Sequence, residues 1–133
     1  MGATPESAVE AYKRGLGLFG KGELDEAIAA YDEALTEVPD WTDPLQAKGM
    51  ALMNAGKLEE ALAVLRRVTE LAPSDPFAFT SLSMAFVRLE RIEEAEDAQA
   101  KARMLAWQEE VKTNPNAPMP DTGPPPGARP AGQ

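Results

Sequence analysis

Apolar residues recur between residues 5 and 112 at the three- and four-residue spacing of amphipathic helices, in six runs separated by short polar breaks. Glycine or proline stands in most of the breaks, where these residues end helices. The pattern predicts six helices, over about 5–19, 24–37, 43–54, 58–71, 76–89 and 92–112. Because the connections between them are short, consecutive helices are expected to pack antiparallel.

The six runs form three copies that repeat every 34 residues. Ala27, Ala61 and Ala95 mark this period, and Gly15 is repeated at Gly49. A fixed period in this range indicates a stack of helical units, and such stacks usually present a binding surface instead of enclosing a reaction site. The sequence therefore predicts an all-α protein of three antiparallel helical hairpins with an extended last helix.

Two of the copies share a motif, GELDEAI at 22–28 and GKLEEAL at 56–62, each followed eleven residues later by a proline. In this motif and spacing the copies resemble tetratricopeptide repeats. The third copy departs from the pattern, because Glu90 replaces the turn glycine, Ser83 the helix glycine and Trp107 the last proline. The resemblance implies repeats over about 8–41, 42–75 and 76–111, stacked as a short right-handed solenoid.

The last copy also carries signs that the array ends there. Glu96 and Gln99 stand where the earlier copies have apolar residues that would be buried against a further repeat. Polar residues at these positions keep a terminal unit soluble. The last helix also gains an apolar stripe that the earlier copies lack, and this stripe is a candidate second interface. Its residues are Ala100, Met104, Trp107 and Val111.

The stripe has three candidate partners: the domain's own fifth helix or folded-back tail, a second copy in a homo-oligomer, or a partner helix.

The tail begins at Thr113, where the composition changes. Seven of the 21 residues in 113–133 are proline, and only two are charged, so we expect a disordered tail after a domain over 1–112. Prolines 124–126 allow local polyproline II, a ligand type for aromatic grooves.

The resemblance further implies that the first helix of each hairpin lines a concave groove that binds an extended or helical peptide. By matching positions, the groove would be lined by Val9, Tyr12, Lys13, Leu16, Phe19, Asp43, Gln46, Ala47, Met50, Met53, Asn54, Phe77, Thr80, Ser81, Met84, Val87 and Arg88. This surface is apolar, with flexible methionines and with Tyr12 and Phe77 as aromatic anchors. It therefore favours a hydrophobic peptide or an amphipathic helix.

One subfamily, the chaperone-tail adaptors, clamps a terminal carboxylate with lysine, asparagine and arginine. The matching positions here hold other residue types, so this clamp is not expected. These positions are Tyr12, Leu16, Ala47, Phe77 and Ser81. Lys13 and Arg88 remain as two cations at opposite ends of the groove.

The composition excludes several kinds of catalytic and metal-binding site. The chain of 133 residues has no cysteine and no histidine, which excludes disulfides, zinc fingers and thiol- or histidine-based nucleophiles. A net charge of −9 disfavours nucleic acid, and no run of residues is apolar enough for membrane insertion. No signal peptide is visible at the start, so a cytoplasmic location is expected. The acids that recur at the starts of the second helices are the residues that a helix N-terminus favours, and we expect no metal or cofactor there.

The sequence therefore predicts a non-catalytic interaction module, an acidic adaptor or scaffold that binds a hydrophobic or amphipathic peptide of a protein partner in its concave groove. One alternative is a small chaperone that holds a secreted or membrane-associated client. A second alternative is a scaffold that assembles through its own last helix. An enzyme or small-molecule binder is disfavoured by the missing histidine, cysteine and phosphate-binding loop.

Overall fold

The computed structural model describes residues 4–123, and within this range the regular structure is entirely α-helical. The helices are α1 (Glu6–Gly20), α2 (Leu24–Glu37), α3 (Thr42–Asn54), α4 (Leu58–Leu71), α5 (Pro76–Arg88) and α6 (Ile92–Glu110). All six predicted helices are confirmed, with their ends within two residues of the expected positions. The predicted all-α fold class is therefore correct.

The residues at the helix starts are of the types that stabilise a helix N-terminus. At α5, the side chain of Asp75 accepts a hydrogen bond of 3.0 Å from the main-chain N–H of Phe77, and Pro76 occupies the first helical position. Such a cap satisfies one of the N–H groups that a helix leaves unpaired at its start. The second helix of each hairpin instead carries acids in its first turn, where the macrodipole favours negative charge.

The turn inside each hairpin needs one residue with a left-handed backbone. Gly22 and Gly56 supply it, at φ of 79° and 80°. The third hairpin has the same turn but uses Glu90, at φ of 62°. A residue with a Cβ is strained by about 1–2 kcal/mol in this conformation, so the third turn keeps its shape against the preference of its residue.

Small residues allow the two helices of each hairpin to approach closely. Ala27, Ala61 and Ala95 are all buried. A Cβ on Gly49 would lie 2.5 Å from Cδ2 of Leu65, so this position has room for glycine only. The third hairpin solves the same problem differently, because the hydroxyl of Ser83 donates a hydrogen bond of 2.9 Å to the main-chain carbonyl of Ala95.

The hairpins stack into a solenoid. Each helix packs against the next helix in the chain, and α3 also contacts both α1 and α5 side by side. These three helices therefore form the inner layer, and α2, α4 and α6 form the outer one. A cluster of buried side chains from α3 to α6 makes the largest part of the core; its largest members are Leu52, Met53, Leu62, Leu65 and Phe86.

The chain turns back after α6 and contacts that helix. The indole Nε1–H of Trp107 donates a hydrogen bond of 3.0 Å to the main-chain carbonyl of Ala117, a residue that is only 7% exposed. Further along, Nη1 of Arg103 lies 3.4 Å from the carbonyl oxygen of Asp121, to which it donates. Residues 113–123 thus lie along the helix, beyond the domain boundary expected at 112. The disordered tail stays a prediction, and its prolines 124–126 lie outside the described residues.

Candidate functional site

A cavity of about 360 Å³ opens on the inner surface of the solenoid, between α1, α3 and the start of α5. Most of its walls are apolar or aromatic, and its polar groups are few. Its lining residues are Tyr12, Leu16, Phe19, Tyr31, Thr42, Asp43, Gln46, Ala47, Met50, Val68, Asp75 and Phe77. An open, mainly apolar cavity with a few polar groups is the usual form of a ligand-binding site.

Packed aromatic rings hold one wall of the cavity in place. The ring of Tyr12 meets the ring of Trp41 edge to face, with 5.2 Å between the centroids, and lies 6.1 Å from the ring of Tyr31. Tyr31 is fully buried, and Trp41 is half-buried. Phe77 on the opposite side is 59% exposed. The cavity therefore has a fixed aromatic wall on α1 and α2 and an exposed ring on α5.

Two polar atoms at the cavity are buried without a hydrogen-bond partner among the described residues. They are the hydroxyl oxygen of Tyr31 and Oε1 of Gln46. The amide nitrogen of Gln46 donates to the hydroxyl of Ser81, so the side chain is anchored while its oxygen stays unpaired. An unsatisfied buried polar group costs about 1–3 kcal/mol, and such groups mark places where a ligand can complete the hydrogen bonding.

The charges that line the cavity are both acidic. Asp43 lies in the first turn of α3, is exposed, and forms no ion pair within residues 4–123. Asp75 caps α5 with one of its oxygens. Burial, and to a smaller degree the charge of Asp43, raises the pKa of the Tyr12 hydroxyl above its ordinary value of 10.0. The Tyr12 side chain is therefore a neutral hydrogen-bonding group at physiological pH.

The structure brings together part of the groove predicted from the sequence. Eight of the predicted residues line the cavity: Tyr12, Leu16, Phe19, Asp43, Gln46, Ala47, Met50 and Phe77. Others are placed outside it, either exposed or half-buried: Val9, Lys13, Asn54, Thr80, Met84, Val87 and Arg88. Their role in partner binding stays a prediction.

Two predicted groove residues do not reach the surface. Met53 is 2% exposed because it packs in the core with Leu52 and Leu62, and Ser81 is 1% exposed because it faces Gln46 across α3 and α5. Neither can touch a partner directly. Ser81 instead orients the amide of Gln46.

Sequence reasoning missed four residues that line the cavity: Tyr31, Thr42, Val68 and Asp75. Tyr31 belongs to α2, an outer-layer helix, and the sequence treated it as a packing residue of the repeat. It reaches the cavity because Gly15 opposite it has no side chain. Thr42 and Asp75 lie at the starts of α3 and α5. The expected antiparallel packing puts both of these helix starts at the same end of the domain, and this was the available sequence signal that the two residues lie near each other.

The candidate second interface on α6 is half-covered. Ala100, Met104, Trp107 and Val111 are all half-buried, and the Trp107 indole is hydrogen-bonded to the returning chain. Of the partners considered for this stripe, the folded-back tail is the one that contacts Trp107. Its use as an interface stays a prediction.

Neither a metal site nor a membrane span is found among residues 4–123. Residues 4–123 contain no group of three or more acidic side chains placed to hold a metal ion. Within the same residues, no helix is both long enough and apolar enough to cross a bilayer.

Comparison with known proteins agrees with the resemblance noted in the sequence. Residues 18–82 match the family model of the tetratricopeptide repeat. A comparison with curated protein sequences finds no significant match.

Among solved structures, the second tetratricopeptide domain of Spaghetti (RPAP3), bound to the HSP90 peptide SRMEEVD, is similar with a TM-score of 0.71 and 24% identity. The match covers 75% of this chain and 93% of that one. MamA residues 41 to the end, from Desulfovibrio magneticus RS-1, is similar with a TM-score of 0.70 and 30% identity, over 79% of this chain and 59% of that one.

The TPR2B domain of yeast Sti1, in a complex with an Hsp70 peptide, gives a TM-score of 0.73 at 21% identity, over 85% of this chain and 87% of that one. Together with the paired helices and their 34-residue period, these matches show the fold of a tetratricopeptide repeat solenoid, with six helices that make about three repeats, and the family model itself covers residues 18–82.

Proposed function

We propose that this protein is a non-catalytic interaction module that binds a peptide segment of a partner protein in the cavity on its inner surface. The observation that carries the proposal is the open apolar cavity between α1, α3 and α5, with its fixed aromatic wall and the exposed ring of Phe77. Exposed aromatic residues beside a concave apolar surface are the usual anchors of a protein interface.

The relatives support the same mode of binding. Spaghetti and yeast Sti1 carry peptides on domains of this fold. The tetratricopeptide repeat is generally a non-catalytic interaction fold, which supports the absence of catalysis here. The peptide that this chain binds differs in chemistry from the acidic SRMEEVD tail, because the charges lining this cavity are acidic and would repel such a tail.

The other candidate functions have weaker support. Self-assembly through α6 would have to displace the contact between Trp107 and Ala117. A chaperone for a hydrophobic client would use the same cavity, so it is a special case of the proposal. The cytoplasmic location stays a proposal that rests on the sequence alone.

The test is a selection of random 12-residue peptides displayed on phage against the full chain. Phe77→Ala is the deciding variant, because the Phe77 side chain is mostly exposed and its loss leaves the core intact. Tyr12→Ala is less suitable, because Tyr12 packs against Tyr31 and Trp41. Ile92→Ala is the matched control, since Ile92 is an exposed large apolar residue at the start of α6 that does not line the cavity.

We expect the enriched peptides to share spaced apolar residues and to bind Phe77→Ala at least fivefold more weakly than the unchanged chain. Removing one exposed aromatic anchor costs about 1–2 kcal/mol of binding free energy, which corresponds to a change in affinity of this size. Ile92→Ala should bind them normally. Peptides that bind Phe77→Ala as tightly as the unchanged chain would place the binding site elsewhere.

A further inference from the structure

We propose that the cavity accepts an arginine side chain of the bound peptide, with the guanidinium group beside Asp43 and the unpaired oxygens of Tyr31 and Gln46. This inference deepens the proposed function and rests on it. It follows from the charges, the unpaired acceptors and the walls of one cavity.

The charge of the site selects a cation. Asp43 and Asp75 are the charged residues that line the cavity, and the chain carries a net charge of −9. Lys13 and Arg88, the two cations expected on this surface, do not line it. Within residues 4–123, Asp43 forms no ion pair that would neutralise it. A positively charged group that enters the cavity therefore gains an unopposed attraction, and a carboxylate is repelled.

The unpaired atoms select a group with several donors. Oε1 of Gln46 is an acceptor without a partner, whereas the amide nitrogen of the same side chain donates to Ser81. The oxygen of Tyr31 accepts as well as donates. Guanidinium offers five N–H donors in one plane, so it can pair with the carboxylate of Asp43 and still present donors to acceptors in the cavity wall. A neutral side chain with one or two donors leaves part of this set unpaired.

The walls of the cavity match the rest of an arginine side chain. Three methylene groups carry the guanidinium, and Leu16, Ala47 and Met50 offer apolar surface along the cavity for them. The rings of Tyr12 and Phe77 offer faces on which a planar cation stacks favourably. The cavity thus combines an apolar entrance for the stem with acceptors for the head group.

The test uses the groove-dependent 12-residue peptides from the selection on the full chain. In synthetic copies, each arginine is replaced by citrulline, which keeps the shape of the side chain and removes its charge, or by norleucine, which keeps only the stem. Affinities are measured for the unchanged chain, for Asp43→Asn and for Glu60→Gln. Glu60 is the matched control, because it is an exposed acid in the first turn of α4 that does not line the cavity.

We expect a shared arginine whose replacement by citrulline weakens binding about tenfold on the unchanged chain and on Glu60→Gln, and less than threefold on Asp43→Asn. Three results overturn the inference: groove-dependent peptides without a common arginine, equal binding of the citrulline copies, or an equal arginine effect on Asp43→Asn. In each of these the peptides still depend on Phe77, so the proposed function survives. If no enriched peptide depends on Phe77, both proposals fail.

Discussion

The ring of Tyr31 lies directly on the backbone of Gly15, so that a Cβ on Gly15 would lie 2.6 Å from Cδ1 of the ring. This contact joins α1 to α2 and brings the Tyr31 side chain from an outer helix to the wall of the inner cavity. The glycine is therefore required both for packing and for the shape of the candidate site.

Gly15→Ala is predicted to destabilise the protein by about 1–3 kcal/mol, because the added methyl group overlaps a ring that has no room to move. Gly17→Ala is the matched control, since nothing lies within 4 Å of a Cβ there. Replacing a glycine at an unobstructed helical position should stabilise by about 0.5–1 kcal/mol. Urea unfolding of both variants gives the two free energies, and equal effects at the two positions would contradict the packing argument.

Tyr31→Phe is predicted to leave stability unchanged or to raise it by up to about 1 kcal/mol. The variant keeps the ring that packs on Gly15 and removes a buried hydroxyl that has no partner within residues 4–123. Thermal or urea unfolding checks this directly. A loss of more than about 1 kcal/mol would mean that the hydroxyl makes a stabilising hydrogen bond in the free protein, and it would remove one of the acceptors assigned to the arginine.

Removal of residues 115–133 is predicted to expose the indole of Trp107. The truncated chain lacks the carbonyl of Ala117 that accepts the indole N–H, and the net loss for one hydrogen bond is about 0.5–1.5 kcal/mol. In a Trp41→Phe background, which leaves Trp107 as the only tryptophan, its fluorescence should shift to longer wavelength. An unchanged emission maximum would show that the returning chain does not cover this side chain in solution.

Glu94 is predicted to contribute to stability in a pH-dependent way. Hydrogen bonds from Arg91, at 2.7 and 2.8 Å, hold the pKa of Glu94 below its usual value of 4.5, and the nearby Arg66 acts in the same direction. Because the pKa is lower in the folded state, the contribution is present above the unfolded value and is lost as the pH falls through the folded one.

The difference in unfolding free energy between the unchanged chain and Glu94→Gln should therefore be constant near pH 7 and shrink in the acid range below about pH 4.5. A difference between the unchanged chain and Glu94→Gln that stays constant down to pH 2 would contradict the assignment.

The sequence predicted the fold almost completely, because the signals that define it are local and repeated. Apolar spacing, proline starts and the glycines at 22 and 56 fixed all six helices. The third turn was predicted despite Glu90, since the 34-residue period outweighed the residue preference at one position. When local residue preferences and the repeat period agree in this way, a repeat fold can be predicted from its sequence.

The site was predicted only in part, because side-chain direction is not local. The period placed Met53 and Ser81 on inner helices, but only the packing of α3 and α5 shows that their side chains are buried in the core and do not face the groove. It also placed Tyr31 on an outer helix, and only the three-dimensional packing shows that this side chain forms part of the cavity wall. The unpaired oxygen of Gln46 has no sequence signal at all.

The most direct test of the peptide-binding surface uses the methionine methyl groups as reporters. Met50 lines the cavity, whereas Met104 lies on α6 and Met119 on the returning chain. In a carbon-13 NMR spectrum of the methyl-labelled protein, addition of a selected 12-residue peptide should shift the Met50 signal and leave those of Met104 and Met119 in place. Shifts at Met104 and Met119 with an unmoved Met50 would contradict binding in the inner cavity.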